Sequence, residues 1–279
     1  MIQTAMKTFY HNKIILITGA ASGIGKRFAE RITEISDPTL ILWDRNPDEL
    51  KKLKDSLPNP KKIHISGIDV SDSNYISLKA GHLIKQRMIP DIIINCAGIV
   101  VGKLFHDHTP AEIRRTMDIN ATGSMWVVHS FLNEMIERGS GHVVNLASAS
   151  GYIGNPKMSV YAASKWAVIG WSESLRLEME ALNTGIYVTA VIPSYINTGM
   201  FNGVKPPILI PLLETDDIVD RMIQGIPKKK KKIQAPFMVR FVPFLKAVLP
   251  ASWFDSLSGN LLGVYQSMDT FEGRKPKSS

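Results

Sequence analysis

The chain has 279 residues, of which 44% are hydrophobic and 21% are charged. These ordinary proportions exclude a disordered chain and a coiled coil, and the length favours one domain, or at most two, with a core that needs no covalent staples. The one cysteine, Cys96, excludes an internal disulfide framework and a cysteine-based zinc cluster, and it fits a reducing compartment.

The net charge of +8 is concentrated near the C-terminus. Residues 1–226 carry 23 basic and 22 acidic side chains, whereas residues 227–279 carry 10 and 3. This asymmetry favours an anionic partner, either a membrane surface or a nucleic acid. Residues 1–12 contain no apolar run of signal-peptide length, and the longest uncharged stretches, such as residues 181–204, are interrupted by Gly, Asn, Thr and Pro and do not predict a membrane span. We therefore expect a cytoplasmic location.

The first third of the chain alternates short apolar runs with segments of helical periodicity. Residues 14–17 predict a buried strand, and the recurrence of Ile24, Phe28 and Ile32 predicts an amphipathic helix over residues 22–35. The next predicted elements are a strand at 40–43, a helix at 48–57, a strand at 62–68, a helix at 71–88 and a strand at 92–95.

The same alternation continues to residue 234. The predicted elements are one or two helices within 109–138, a strand at 142–147, a long helix at 157–182, a strand at 186–192, a helix at 216–223 and a strand at 231–234. We therefore predict an α/β fold, with a single doubly wound Rossmann-type domain over residues 1–235, a parallel sheet of about seven strands and helices on both faces. Residues 194–214 are predicted to form a mobile lid, and residues 236–279 a basic, apolar extension.

A glycine-rich turn lies between the first predicted strand and helix. Gly19, Gly23 and Gly25 permit a tight turn and the approach of a pyrophosphate to the backbone, where the helix N-terminus offers free amides. Their spacing, Gly-x3-Gly-x-Gly, differs from the usual dinucleotide fingerprint, so a glycine turn without a ligand is the alternative.

Asp44 and Arg45 follow the second predicted strand and bear on the choice of cofactor. A carboxylate at Asp44 accepts hydrogen bonds from an adenosine ribose diol and disfavours a 2′-phosphate. The guanidinium of Arg45 acts in the opposite sense, because it binds a phosphate. Since the glycine turn carries no basic residue, we favour NAD(H) and keep NADP(H) as the alternative.

Tyr161, Lys165 and Ser148 form the candidate catalytic set. At positions i and i+4 of a helix, Tyr161 and Lys165 project from one face. A phenol is a poor base at neutral pH, and a nearby ammonium lowers its pKa toward the range where acid–base catalysis is effective. Ser148 ends a predicted strand, where its hydroxyl can bond the reacting oxygen.

These motifs, together with Asn95-Cys96-Ala97-Gly98 and Asn120, resemble those of the compact short-chain dehydrogenases/reductases in order and spacing, from about residue 13 to residue 220 or 234. The resemblance implies reversible hydride transfer between a nicotinamide and an alcohol or carbonyl. It implies that Tyr161 is the acid/base and that Ser148 orients and polarises the substrate oxygen. It further implies that Lys165 binds the nicotinamide ribose and lowers the pKa of Tyr161, and that Asn120 holds a water of the proton relay.

The resemblance also implies a cofactor-binding set and a homodimer or homotetramer. The sequence departs from the family pattern at two positions. Cys96 stands where a second Asn is common, and Ser194 stands where Gly is common. Residues 41–44 and 164–178 are similar to the branch that acts on retinoids, steroids and other lipophilic alcohols. The implied cofactor-binding residues are Gly19, Ser22, Gly23, Ile24, Gly25, Asp44, Arg45, Asp69, Val70, Asn95, Ala97, Gly98, Tyr161, Lys165, Pro193, Ile196 and Thr198.

The apolar composition of residues 194–214 predicts a lipophilic secondary alcohol or ketone as substrate, without separating a retinoid from a steroid or a fatty alcohol. The rival hypothesis is a cofactor-sensing or binding protein without turnover. Nucleic-acid binding is disfavoured, because the lysines at 228–232 have no interleaved aromatic residues. A metal at His106 and His108 is disfavoured for want of further ligands, and Trp166 and Trp171 are interpreted as packing or subunit-interface residues.

Residues 237–249 are apolar almost all round and are interpreted as a helix kinked at Pro243. The segment is too short to span a bilayer and too apolar to be left in water. One alternative packs it over the substrate cleft or against a partner subunit. The other places it in a membrane interface, with the lysines attracted to anionic lipid.

Overall fold

The computed structural model describes residues 2–208 and 211–273, and its centre is a seven-stranded parallel sheet in the order β3-β2-β1-β4-β5-β6-β7. The predicted fold class is confirmed. The predicted lid residues Leu209 and Ile210 and the last six residues, 274–279, lie outside the described residues. The strands are β1 (Ile14–Thr18), β2 (Thr39–Asp44), β3 (Ile63–Gly67), β4 (Ile92–Asn95), β5 (Gly141–Leu146), β6 (Ile186–Pro193) and β7 (Lys232–Ala235).

Helices connect the strands and extend the chain at both ends. They are α1 (Ile2–Tyr10), α2 (Gly23–Ile35), α3 (Pro47–Ser56), α4 (Ser73–Lys85), α5 (Pro110–Met117), α6 (Gly123–Arg138), α7 (Ser159–Ala181), α8 (Thr215–Gly225), α9 (Val242–Val248) and α10 (Ala251–Asp255). Short 3₁₀ segments lie at Pro60–Lys62, Phe105–Asp107, Ala149–Gly151 and Phe237–Phe241. In the described parts of the chain, no helix is both long enough and apolar enough to cross a bilayer.

The alternation of side chains along each strand divides the core into two layers. On β1, Ile15 and Ile17 join the layer beneath α2, α3 and α8, whereas Leu16 joins the layer beneath α4, α6 and α7. Successive strand residues point to opposite faces, so an unbroken apolar strand is buried on both sides. This explains why the strands read as continuous apolar runs.

The strand order reverses between β1 and β4, and this opens a crevice at their carboxyl ends. β1 pairs with β2 on one side and with β4 on the other, and the crossovers from the two neighbours lead to opposite faces. Ligands of open α/β sheets bind at such a switch point. The glycine turn follows β1 directly, so it lies at the crevice.

The helix α1 is a feature that the sequence analysis did not predict. Its Tyr10 is fully buried and donates a hydrogen bond from the phenol to the carbonyl oxygen of Ile223 at 2.9 Å. The only local signal is that Met6, Phe9 and Tyr10 recur at helical spacing and contact the core. The helix thereby closes the layer that contains α2 and α8.

The region 109–138, predicted to hold one or two helices, holds two, α5 and α6, which are joined by a π-helical turn at Asp118–Thr122. The segment around Pro243 differs from its prediction. Pro243 does not kink a helix as predicted, because it lies in the first turn of α9, after the 3₁₀ segment at Phe237–Phe241. A proline is tolerated at the first turn, where its missing N–H would have no intrahelical partner.

Candidate active site

Two glycines of the turn, Gly19 and Gly25, are packed so closely against their neighbours that a side chain is excluded at either position. A Cβ on Gly19 would lie 2.8 Å from the Cα of Ala97, and a Cβ on Gly25 would lie 2.5 Å from the carbonyl oxygen of Gly19. Gly23 adopts φ +55° in front of α2, where a Cβ would meet no atom nearer than 3.5 Å. The turn therefore holds bare backbone and a helix N-terminus at the crevice, which fits the pyrophosphate of a dinucleotide.

Asp44 connects the end of β2 to this turn. One carboxylate oxygen accepts the backbone N–H of Ala21 at 3.0 Å, and the other accepts that of Asn46 at 3.0 Å. A carboxylate has about four acceptor positions, so both oxygens keep capacity for the hydroxyls of a ribose. Arg45 lies exposed in the same wall of the crevice.

Asp69 and Val70 follow β3 and form the adjoining wall. Burial alone would raise the pKa of Asp69, but hydrogen bonds from Ser71 and the cation of Arg115 outweigh it and lower that pKa. Ser71 donates its hydroxyl at 2.6 Å, and Arg115 lies 3.2 Å away. The structure thus supplies an ionised acid and, in Val70, an apolar surface at the place where the family resemblance implies the adenine.

The carboxyl end of β4 is tied to β1 and β5. The hydroxyl oxygen of Thr18 accepts the N–H groups of Cys96 and Ala97 at 3.2 and 3.3 Å. Asn95 is buried and donates its amide to Asn145 at 2.9 Å, so a side-chain bond crosses the sheet although Cys96 departs from the family pattern. Ala97 and Gly98 line the crevice. Asn95 and Gly25, which the resemblance also implies to be cofactor-binding residues, lie behind its wall.

Ser148, Tyr161 and Lys165 converge at the far end of the crevice. Ser148 caps the 3₁₀ segment that follows β5, and its hydroxyl lies beside the phenol of Tyr161, whose pKa it acts to lower. Tyr161 and Lys165 lie one turn apart on α7 and are each 4% exposed. The ammonium of Lys165 is 5.7 Å from the centre of the Tyr161 ring. The sequence-predicted trio is therefore brought together in one place.

Burial governs the protonation of this trio. It raises the pKa of the Tyr161 phenol well above the ordinary value, and the neighbouring hydroxyl of Ser148 offsets only part of the rise. Burial also lowers the pKa of Lys165 to about 8. The raised pKa of Tyr161 is opposite in direction to the sequence-based expectation, because desolvation of the phenolate is the larger effect. At neutral pH Tyr161 carries its proton.

Asn120 lies in the π-helical turn, behind the crevice wall. Its amide donates to the carbonyl oxygen of Ile99 at 2.9 Å and to the hydroxyl of Ser164 at 3.0 Å, and its oxygen accepts the N–H of Ile99 at 2.8 Å. Both amide hydrogens are thus used within the protein, and the amide oxygen keeps one further acceptor position. The side chain holds the loop after β4 against α7.

The last part of the wall follows β6. Pro193, Ile196 and Thr198 lie there as predicted, joined by Ser194 and Phe201, and the crevice has a volume of about 290 Å³. Ile196 forms an isolated bridge with Leu213 across the predicted lid. The crevice residues that complete the predicted set are Ser22 and Ile24, and the crevice also contains Met200 from the predicted lid. The crevice residues that the sequence did not single out are Ile68, Ile99, Val100, Ile119, Leu146 and Ala147.

A second, apolar cavity of about 110 Å³ adjoins the crevice, and the walls of both contain Ser148, Ser194 and Phe201. Much of its lining comes from the C-terminal extension, which packs over it. Sequence patterns did not reveal this cavity, because its walls come from segments far apart in the chain. The remaining lining residues include Ile153, Asn155, Tyr195, Met238, Val239, Phe241, Leu245, Phe254 and Leu262.

The two histidines of the disfavoured metal hypothesis lie apart from this site. His106 is exposed and pairs with Asp107, whereas His108 is buried. Within residues 2–208 and 211–273, no group of three or more His, Cys, Asp or Glu side chains is arranged to hold a metal ion.

The chain belongs to the short-chain dehydrogenase family, because a family model described as short chain dehydrogenase matches residues 13–208. Among curated proteins it is similar to epidermal retinol dehydrogenase 2 of Mus musculus, with 34% identity over 95% of this chain and 87% of the relative. It is also similar to estradiol 17-beta-dehydrogenase 11 of Homo sapiens, with 32% identity over 85% of this chain and 79% of the relative. The likeness to the retinoid and steroid branch is confirmed.

Solved structures share the fold of this chain. This chain is similar to a short-chain dehydrogenase from Sphingobium yanoikuyae in complex with NADPH, with 25% identity and a TM-score of 0.71. The match covers 96% of this chain and 98% of that structure's chain. It is also similar to a short-chain dehydrogenase/reductase from Burkholderia phymatum in complex with NAD, with 21% identity and a TM-score of 0.76. That match covers 85% of this chain and 94% of the other chain, and this likeness shows the fold alone. The chain is therefore an NAD(P)-dependent oxidoreductase that acts on CH–OH groups or the corresponding carbonyls.

Proposed function

We propose that this enzyme interconverts a lipophilic alcohol and its ketone or aldehyde, with Tyr161 as the general acid and base. The observation that carries the proposal is the position of Ser148. Its hydroxyl lies beside the phenol of Tyr161, whose pKa it acts to lower, and the residue lies in the wall of both the crevice and the apolar cavity. A substrate oxygen at this point meets an acid, a second hydroxyl and an apolar chamber for the remainder of the molecule.

Each member of the trio has a distinct role in this proposal. In reduction, the phenol of Tyr161 gives its proton to the substrate oxygen, while the hydroxyl of Ser148 bonds that oxygen and fixes its position. Since burial raises the pKa of Tyr161, the phenol holds the proton required for reduction at neutral pH. In oxidation, the cation of Lys165 favours loss of that proton. Bound NAD(P) supplies or accepts the hydride.

The cofactor preference that we propose is NAD(H), with NADP(H) as the alternative. The glycine turn, Asp44 and the wall at Asp69 and Val70 are the residues that would hold the dinucleotide. Two carboxylates on this side of the crevice disfavour a 2′-phosphate, whereas Arg45 favours one. Family members of both kinds exist, since the structures compared above contain NAD in one case and NADPH in the other.

The lipophilic character of the substrate is supported by the cavity and by the relatives. The cavity is lined chiefly by aliphatic and aromatic side chains, including Ile153, Leu245 and Phe254. Pockets of this kind bury an apolar ligand and orient it through a few polar groups. The two relatives described above are named for retinol and estradiol, which are both largely apolar alcohols.

The C-terminal extension has two kinds of apolar side chain, which bear on the two alternatives for it. Val239, Leu245 and Phe254 line the cavity, whereas Phe237 and Phe244 are 58% and 63% exposed. The first group supports packing over the substrate. The second group requires another cover, and we propose a membrane interface at a cytoplasmic face, with a partner subunit of a homodimer or homotetramer as the alternative.

A panel of lipophilic alcohols and ketones, assayed with both cofactors at the nicotinamide absorbance, tests the proposed function. We expect turnover of apolar substrates and little turnover of short polar ones, because the latter leave the cavity unfilled. If NADH binds but no member of the panel is turned over with either cofactor, the cofactor-sensor hypothesis replaces the enzymatic one. A preference for short polar alcohols would exclude the apolar cavity as the substrate site.

A further inference from the structure

A narrow passage joins the cofactor crevice to the apolar cavity. Among the described residues, three lie in the walls of both spaces, namely Ser148, Ser194 and Phe201. A molecule that extends from the catalytic trio into the cavity must pass between these side chains. Because two of them are serines, the ring of Phe201 is the bulkiest group at the passage.

The ring of Phe201 contacts two other aromatic rings. Its centre lies 6.0 Å from that of Tyr161, with the ring planes at 83°, and 5.3 Å from that of Tyr195, with the planes at 80°. Both are edge-to-face arrangements within the contact range of aromatic pairs. No room for a substrate group remains between Phe201 and either neighbour. The three rings therefore form a continuous wall from the phenol of Tyr161 into the cavity.

The backbone that follows Phe201 is tied to the C-terminal extension. The carbonyl oxygen of Asn202 accepts the N–H of Glu272 at 2.9 Å. The carbonyl oxygen of Gly203 accepts the hydroxyl of Thr270 at 2.6 Å, and the two segments lie so close that a Cβ on Gly203 would overlap the backbone of Thr270. Phe201 thus belongs to a braced wall, although it lies within the predicted lid, and we expect the passage to keep its width when a ligand enters.

We infer that Phe201 is a specificity-determining residue, which admits a slim substrate to the cavity and excludes one that is branched beside the reacting carbon. The inference rests on the proposed function and deepens it. A substrate with its oxygen at Ser148 and Tyr161 places the atoms next to the reacting carbon in the passage. The substrate class is therefore an open-chain alcohol, or its aldehyde or ketone, and not a ring alcohol flanked by a quaternary carbon.

The test is a calorimetric titration in the presence of NADH, which leaves an alcohol no oxidised cofactor to react with. The probes are the linear methyl carbinol of eight carbons and its isomer in which the carbon beside the carbinol carries two methyl branches. We expect the wild type to bind the linear alcohol at least about tenfold more tightly, because the branches press against a braced wall. In Phe201→Ala the two affinities are expected to agree within about twofold, since the ring is gone. Phe201→Leu, which keeps part of the bulk, should give an intermediate ratio.

The ratio of the two affinities is independent of indirect effects on the phenol. Both probes present the same group to Tyr161, so a disturbance of that residue by the variant changes both affinities alike. Phe9→Ala is the matched control, because it removes a partly buried ring that packs against Tyr10 in α1, and it should keep the wild-type ratio.

Three results would overturn the inference: equal affinities in the wild type, no binding of either alcohol, or a ratio that stays at the wild-type value in both Phe201 variants. The titration involves no turnover. Selective binding without turnover in the substrate panel would refute the proposed function alone, whereas turnover without selective binding would refute this inference alone.

Discussion

The ammonium of Lys165 donates a hydrogen bond of 2.7 Å to the carbonyl oxygen of Leu146, the last residue of β5. A flexible, cationic side chain on α7 is thereby fixed to the central sheet at the point where Ser148 also begins its turn. The position of the charge beside Tyr161 consequently depends on the rigid sheet and not on the long stem of the lysine.

Replacing Tyr161 by Phe removes the proposed acid and base and changes the packing by one hydroxyl. We expect turnover to fall by at least about a hundredfold, the lower range for general acid–base catalysis. Binding of NADH, measured by fluorescence titration, is expected to stay near the wild-type value. Turnover close to that of the wild type would refute the role of the phenol.

Lys165→Met tests the electrostatic cost of the buried lysine. Burial lowers its pKa from 10.5 to about 8, so the unfolded chain binds this proton more tightly than the folded chain does. The resulting penalty is complete below pH 8 and disappears as the pH rises toward 10.5. We therefore expect the free energy of unfolding of the variant, relative to the wild type, to decrease by about 2 kcal/mol between about pH 7 and pH 10.

Urea unfolding of both proteins at the two pH values measures this change. The lost bond to Leu146 and altered packing shift both measurements alike, so only the difference between them reports the titration. A relative stability that is constant, or that increases with pH, would show that the lysine is not desolvated as described.

Gly25→Ala tests the close packing of the glycine turn. The added Cβ would lie 2.5 Å from the carbonyl oxygen of Gly19, so the turn must shift and the affinity for NADH is expected to fall about tenfold or more. Gly81→Ala in α4 is the matched control, because its Cβ meets nothing within 4 Å. The control should gain about 0.5–1 kcal/mol of stability and keep its affinity for NADH. Equal affinities in both variants would contradict the proposed cradle.

Substitution of Asp44 tests the cofactor preference. Asp44→Ala is expected to move the ratio of kcat/KM toward NADP by roughly 1–3 kcal/mol, because a charge-assisted bond to the ribose and a repulsion of the 2′-phosphate are both lost. Asp44→Asn retains one acceptor for the turn and separates the effect of charge from that of structure. Arg45→Ala should move the ratio in the opposite direction. A wild type that already prefers NADP strongly would show that Arg45 dominates.

Sedimentation with anionic lipid vesicles tests the exposed apolar surface of the extension. We expect binding at low salt that weakens as salt is added, and its loss when Phe237, Phe244 and Trp253 are all replaced by Ser. A matched variant with Ser at Leu78 and Leu182, which are 53% and 67% exposed elsewhere, should bind as the wild type does. These substitutions are preferable to deletion, which would also remove one wall of the cavity. No sedimentation at low salt would favour a subunit contact.

The order of strands and helices from β1 to β7 was predictable because it depends on local periodicity. Ile15 and Ile17 in one layer and Leu16 in the other need only an apolar run to be foreseen. The hydrogen bond from Asn155 to Ser267 was not predictable, since its partners are 112 positions apart and neither belongs to a motif. Likewise, Pro243 is compatible with both a kink and a helix start, and tertiary packing decides between them.

The two hydrogen bonds of Asp44 have a consequence for how this enzyme could change during evolution. The carboxylate proposed to discriminate between cofactors also anchors the loop at Ala21 on which any cofactor must rest. A mutation there alters preference and affinity together, so an intermediate on the way to a new cofactor would bind both forms poorly. No hydrogen bond from the Arg45 side chain to the glycine turn is seen in the described part of the chain. Adaptation toward NADP is accordingly expected to begin with additional basic residues around Arg45 and to reach Asp44 last.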